Sequence, residues 1–153
     1  MFRWRFPESS LFDQNTFYRA FERDLRHARQ EVIIESPFIT EKRVELLLPI
    51  FRRLSRQGIR IVINTRHPDE HESDYCRQAF EAVATLQNMG AVVLYTGGHH
   101  RKLAIIDRKV LYEGSLNILS YRDSCEIMRR VVFSAEAKKL LQFIGIMKYV
   151  RHK

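Results

Sequence analysis

The sequence predicts an α/β protein, a mixed β-sheet flanked by helices. Three observations predict it. Short β-branched runs alternate with segments of 3.6-residue apolar period up to about residue 95. After that point short strands follow one another across tight turns. No apolar run approaches the roughly 20 residues needed to span a bilayer. With 153 residues the chain has enough material for one domain with a real core. A single domain over 1–153 is expected, with no internal repeat or linker.

The elements follow in order. Asn15 or Thr16 can cap a helix to about Arg29, with Phe17, Phe21, Leu25 and Ala28 on one face. EVIIE (31–35) reads as a buried strand that Ser36-Pro37 ends, because proline cannot donate to a ladder. Thr40 can cap a second helix, whose apolar face is Val44, Leu47, Leu48, Phe51 and Leu54. Pro49 inside it should kink or restart the helix, and Gly58 suits the position after its end. IRIVIN (59–64) is a second strand, and RHPDEHES (66–73) a polar loop. A helix is expected over about 74–89, stopped by Gly90, then a strand over 91–95. Gly97-Gly98 turns the chain into HHRKLAIID, a fourth strand, and Asp107-Arg108-Lys109 reverses it into 110–113. A loop containing 114–117 precedes a strand over 126–133. Ser134 then caps a final helix with Leu140, Leu141, Phe143, Ile144 and Met147 on its apolar side.

Net charge is +8 and the pI near 9.8. The arginines are spread through the chain, as in Arg52, Arg53, Arg56 and Arg129, Arg130. That pattern favours a folded basic surface and a polyanionic partner, nucleic acid before anionic membrane. Residues 1–7 lack the apolar stretch of a signal peptide, so the expected compartment is the cytoplasm. Cys76 and Cys125 form no C-x-x-C and read as buried free thiols.

Two motifs carry the chemistry. His100, Lys102 and Asp107 form H-x-K-x4-D; Gly114, Ser115 and Asn117 form G-S-x-N. On a regular strand His100 and Lys102 point the same way, as do Ser115 and Asn117 on the neighbouring segment. Asp107 has the opposite parity, which leaves it to hold the turn through nearby backbone groups. Lys102 offers a point charge, Asn117 an amide donor and Ser115 a hydroxyl, all suited to an anionic phosphodiester. Neutral imidazole is a good nucleophile near pH 7.

Together these motifs, over about 24–133, resemble the phospholipase D superfamily and its α-β-α sandwich. HRKLAIID, EGSLNILS and EIMRR further resemble the phospholipase D-like domain attached to some bacterial helicase-type proteins. The resemblance implies a two-step reaction. His100 attacks phosphorus to form a phosphohistidine, which water resolves, while a second histidine protonates the leaving oxygen and then serves as base. One H-K-D set per chain implies a two-fold homodimer with one composite site, and no metal or cofactor. Glu126, nine residues after Asn117, is either the carboxylate that orients the imidazole or a salt-bridge partner of Arg129 or Arg130.

Other signals read as structural. His99 is a bystander, since only His100 has a lysine two residues on. His67 and His71, beside Asp69 and Glu70, belong to a solvated loop rather than a metal site. Phe2, Trp4 and Phe6 alternate with Arg3 and Arg5, either a packing strand or a stacking arm for nucleic acid. Leu46–Leu48 and the last helix supply core or dimer interface. The leading reading is a nuclease acting on DNA or RNA. The alternatives are a non-catalytic nucleic-acid-binding or dimerisation module serving a helicase protein, and a phospholipid phosphodiesterase. No membrane association is expected.

Overall fold

The computed structural model describes residues 6–121 and 123–150. Among them, seven strands form one mixed sheet in the order β1-β7-β6-β5-β2-β3-β4. The strands are β1 (Glu8–Asp13), β2 (Glu31–Glu35), β3 (Arg60–Thr65), β4 (Val92–Tyr95), β5 (Leu103–Ile106), β6 (Val110–Gly114) and β7 (Ile127–Val132). The helices are α1 (Phe17–Arg26), α2 (Glu41–Arg56), α3 (Ser73–Asn88) and α4 (Ser134–Ile144). β2, β3 and β4 pair in parallel and the remaining pairings are antiparallel.

Alternation along the strands builds two cores. Val32, Ile34, Ile61, Ile63, Ala104 and Tyr112 face α1, α2 and α3. Ile33, Val62, Leu103, Ile105 and Leu111 face α4 and the 3-10 turn at Ile146–Tyr149. β2 is therefore buried on both faces, which explains its unbroken apolar run. Tyr112 is fully buried, with Phe17 and Phe21 edge-on to its ring. Its hydroxyl donates to Asp24 at 2.5 Å, and Arg130 holds the same carboxylate at 2.6 and 3.0 Å. Burial first, and then the bond to Asp24, raise the Tyr112 hydroxyl far above its ordinary value. This triad pins α1 to β6 and β7.

Several local expectations change. β1 has no counterpart in the sequence reading; ESSLFD pairs with the outer edge of β7 from Glu8↔Val132 to Asp13↔Ile127. Pro49 lies inside an unbroken α2, on its exposed side, where water can replace the bond it cannot make. Thr40 does cap α2, accepting from Arg43 N. Thr16 precedes α1 without capping it, because its hydroxyl bonds Asp13 instead. Ser134 is the first residue of α4 rather than its cap. Cys76 is half-buried and Cys125 exposed, so neither free thiol is a core residue. In α4, Leu141 and Ile144 are core, whereas Phe143 is 81% exposed. Phe2 and Trp4 of the N-terminal alternation lie outside the described residues; Phe6 is exposed. Among the described residues, no helix is long and apolar enough to cross a membrane.

Candidate active site

The topology collects the chemistry-bearing residues at one end of the sheet. Parallel β2, β3 and β4 all finish there, at Glu35, Thr65 and Tyr95. β6 finishes there at Gly114, and antiparallel β5 and β7 begin there at Leu103 and Ile127. Loops 36–40, 66–72, 96–102 and 115–126 leave from this one edge. In open α/β sheets, ligands bind beyond the carboxyl ends of the strands, where the order of connection switches. Here the switch is at β2, parallel to β3 and antiparallel to β5.

His100 and Lys102 precede β5 rather than lying on it, so strand alternation does not set their directions. Their segment is instead fixed by cross-links. Arg66 donates to the carbonyl of His99 from Nε at 3.1 Å and Nη2 at 2.8 Å. Arg101 N donates to His99 Nδ1 at 3.1 Å, which leaves the His99 proton on Nε2. Arg101 also grips Glu35 through two bonds of 2.9 Å. His99 Nε2 stands 3.1 Å from the same carboxylate, close but without a well-aligned N–H. Asn64 Nδ2 donates to it at 2.5 Å, and Thr96 Oγ1 donates to Asn64 at 2.9 Å.

Glu35 is fully buried and holds the residues on both sides of His100. Burial pushes its carboxyl up, but the close His99 ring and the bonds from Arg101 and Asn64 outweigh this and leave it below the usual carboxylate range. His99 is thus a buried structural residue, not a bystander. His100 itself is exposed, facing an open recess that it shares with Gly97 and Gly98. Its carbonyl accepts from Lys102 Nζ at 2.6 Å.

The G-S-x-N segment follows β6 directly. Gly114 is there because a Cβ would lie 2.1 Å from Ile127 O and 2.9 Å from Met128 Cα; only glycine lets β6 run this close to β7. Ser115 Oγ accepts from Ile127 N at 3.0 Å and donates to Glu126. Ser124 Oγ donates to the other Glu126 oxygen at 2.7 Å. Within the single chain both oxygens of Glu126 are therefore engaged by hydroxyls. The alternative salt bridge does not form: Arg130 pairs with Asp24 and Glu8, and Arg129 donates to Ser9.

Asn117 lies beside Glu126 around a recess of about 40 Å³, with its Oδ1 buried and unpartnered. Arg43 lines the same recess; its Nε is likewise buried and unpartnered, and its guanidinium stacks 3.5 Å from the Tyr18 ring. The space holds one water-sized polar group. Burial lowers the Lys102 ammonium, the Glu126 charge raises it and Arg66 lowers it again; the balance falls below an ordinary lysine.

The structure thus gathers Lys102, Ser115, Asn117 and Glu126 at the edge from which the His100 loop departs. Asp107 is elsewhere. It follows β5 at the opposite end, five residues or about 16 Å of extended chain from Lys102. It sits with Arg108 at positive φ (54° and 53°), the two central positions of a turn closed by Lys109 N donating to Ile106 O at 3.0 Å. The expected contact with nearby backbone is replaced by distant ones. Its carboxylate accepts from Arg29 N, Gln30 N and Glu31 N at 2.9, 2.8 and 3.1 Å.

The loop carrying His67 and His71 is anchored rather than free. His67 packs against Tyr95 and Phe80, His71 against Phe38, and Glu70 accepts from Gly98 N. Among the described residues, no cluster of three or more His, Cys, Asp or Glu could hold a metal. Glu35, Asn64, Arg66 and Arg43 were not singled out from the sequence. The one available signal was a glutamate ending a strand otherwise buried throughout, which requires a partner.

The family described as cardiolipin synthase, PLD-like domain, matches residues 21–142. The chain belongs to this phospholipase D-like family. No curated protein sequence matches it. Its fold is similar to that of the phospholipase D family member Nuc from Salmonella typhimurium, with TM-score 0.73 and 14% identity over 90% of this chain and 91% of that one. NucT from Helicobacter pylori is similar at TM-score 0.70 and 18% identity, covering 90% and 93%. Phosphatidylserine synthase from Haemophilus influenzae is similar at 0.64 and 14%, covering 95% of this chain but 39% of that one.

Proposed function

We propose that this phospholipase D-like chain is a metal-independent phosphodiesterase that hydrolyses nucleic acid through a phosphohistidine on His100. Membership of the family supports phosphodiester chemistry. The observation that carries the finer reading is the gathering of Lys102, Ser115, Asn117 and Glu126 beside the His100 loop. These groups supply a cation, a hydroxyl and an amide to the non-bridging phosphoryl oxygens, where negative charge builds up in the transition state. A His100 ring nitrogen attacks phosphorus, a P–N bond forms and the P–O bond to the leaving group breaks. The leaving oxygen takes its proton from a second imidazole. Water then attacks phosphorus, gives its proton to that imidazole, and returns His100 free.

A single chain has one such histidine, so the second is the partner's His100 in a two-fold dimer. The exposed position of His100 leaves it accessible to a second copy. Excess positive charge and the absence of a membrane-spanning helix among the described residues favour nucleic acid over lipid as substrate. A helicase-type protein is the machine such a domain would serve, on the strength of sequence resemblance alone.

The test is cleavage of labelled single- and double-stranded DNA and RNA in excess EDTA, beside His100→Ala matched for dimer content. Cleavage that persists in EDTA and vanishes in the variant is expected. Cleavage equal in both proteins refutes His100 as nucleophile. Binding without cleavage of any nucleic acid, or turnover of phospholipid vesicles in its place, refutes the nuclease assignment.

A further inference from the structure

We propose that the end of the sheet opposite the candidate active site is a second polyanion-binding surface, which grips nucleic-acid phosphates beyond the segment being cleaved. The inference rests on the nuclease reading and extends it to how substrate is held.

The two ends of the sheet differ in charge. At the candidate active site Arg101 is committed to buried Glu35 and Lys102 lies in the field of Glu126, while Arg66 binds a carbonyl and Arg43 stacks on Tyr18. Acidic Asp69, Glu70 and Glu72 occupy the adjoining loop.

At the other end α1 and α2 both terminate in arginines. Arg23 and Arg26 are in the last turn of α1, Arg53 and Arg56 in that of α2. Arg53 Nη2 donates to Arg26 O at 3.1 Å and ties the two helix ends together. Some of this charge answers the helix C-termini, but the band continues past them. The backbone of Arg29 is held by Asp107, next to Arg108 and Lys109 in the hairpin turn. Arg60 and Arg108 share one carboxylate, Glu31, at 2.8 and 2.5 Å, so that trio retains a positive charge. Arg108 also lines a recess of about 380 Å³ with Lys138 and Lys148 over a floor of Leu141 and Met147. That carries the band round to the α4 face.

Three of the acids at this end are already engaged, while Glu136 in the first turn of α4 stands exposed. Glu22 faces Arg26 at 3.7 Å, Glu31 serves two arginines, and Asp107 accepts three backbone N–H bonds. Arg29, Arg56 and Lys109 are exposed and, among the described residues, their side chains make no ion pair or hydrogen bond. An arginine-rich band with little opposing carboxylate is complementary to a chain of phosphates, which guanidinium forks bind in pairs of parallel bonds. It lies a strand's length from the catalytic groups. A long strand can engage both ends at once; a dinucleotide cannot.

The experiment uses the full chain carrying His100→Ala, so that binding is read without cleavage. Arg29→Gln/Arg56→Gln/Lys109→Gln is added, three exposed changes whose effect on folding is checked by urea unfolding. Fluorescence anisotropy is recorded with a long single-stranded DNA over a salt series. For the long DNA, the slope of log K against log salt should fall by about 2, at roughly 0.7 per phosphate contact, and affinity near 0.1 M salt by about tenfold or more. With His100 restored, kcat on a dinucleotide, too short to reach both ends, should not change.

Equal slopes for the long DNA, or no binding of it by the parent protein, overturn the proposal. Unchanged DNA binding with lost co-sedimentation on phosphatidylglycerol vesicles also overturns it, and makes the band a membrane surface. If the His100 protein binds long DNA through the band but cleaves nothing, the nuclease reading fails while the band stands.

Discussion

Removing Glu35 should loosen the segment that presents His100, at a cost that follows from who loses a partner. Glu35→Ala deletes the acceptor for Arg101 and Asn64 and the carboxylate beside His99 Nε2. The Arg101 side chain is 42% exposed and can turn to water, so its ion pair is discounted. Asn64 and His99 are buried and cannot be rehydrated without opening the core. At roughly 1–3 kcal/mol for the buried Asn64 amide left unpaired, and with the His99 contact also lost, the loss should be about 3 kcal/mol. Glu35→Gln keeps the shape and one acceptor oxygen, and should cost about 1–2 kcal/mol.

The pH dependence separates this mechanism from mere packing. The folded Glu35 carboxyl sits below its unfolded value, near 4.3 in model peptides. Its stabilising contribution is therefore fully present above the unfolded pKa and is lost as pH falls through the folded one. Urea unfolding across the acidic range should show the gap between wild type and Glu35→Gln closing as pH drops. A gap constant with pH, or no gap at neutrality, would refute the view that an ionised Glu35 clamps residues 99–101. Hydrogen exchange should show faster opening of residues 96–102 in the variant than of α1.

Asp107→Ala should lower stability by about 1–3 kcal/mol, because it strips acceptors from three backbone N–H groups at the start of β2. kcat on a phosphodiester at a temperature where the variant stays folded should change little; loss of turnover in a fully folded Asp107→Asn protein would show that the residue acts in the chemistry. Gly114→Ala should cost about 3 kcal/mol or more, since its Cβ would drive β6 from β7, and a urea midpoint equal to wild type would contradict the close approach. Lys102, held below an ordinary lysine, should give activity an alkaline limb below pH 10.5. Lys102→Arg should remove that limb, because arginine does not deprotonate in this range, and a limb unchanged in the variant would assign it to another group.

Local signals in the sequence account for most of the scaffold. The β-branched runs at 31–35 and 59–64 and the helical periods mark β2, β3, α1 and α2, because burial imposes its period on neighbouring residues. Thr40 marks a helix start, and Asp107-Arg108-Lys109 a tight reversal. The paired motifs mark the family and the residues that converge from β5, β6 and the 115–126 loop.

Tertiary structure decided what depends on distant partners. β1 forms because the edge of β7 offers unpaired backbone groups, although ESSLFD has little apolar alternation of its own. Pro49 is tolerated because its side of α2 faces water. His99 and His100 are adjacent and chemically identical; one is buried beside Glu35 and the other faces solvent, solely because of where Glu35 and Arg66 lie in the folded chain. Asp107 finds its donors 76 to 78 residues away. Contacts of that separation leave no period in the sequence. They arise when the sheet brings the ends of its strands together, and that convergence also separates the motif into groups at the site and a residue that braces the far end of the sheet.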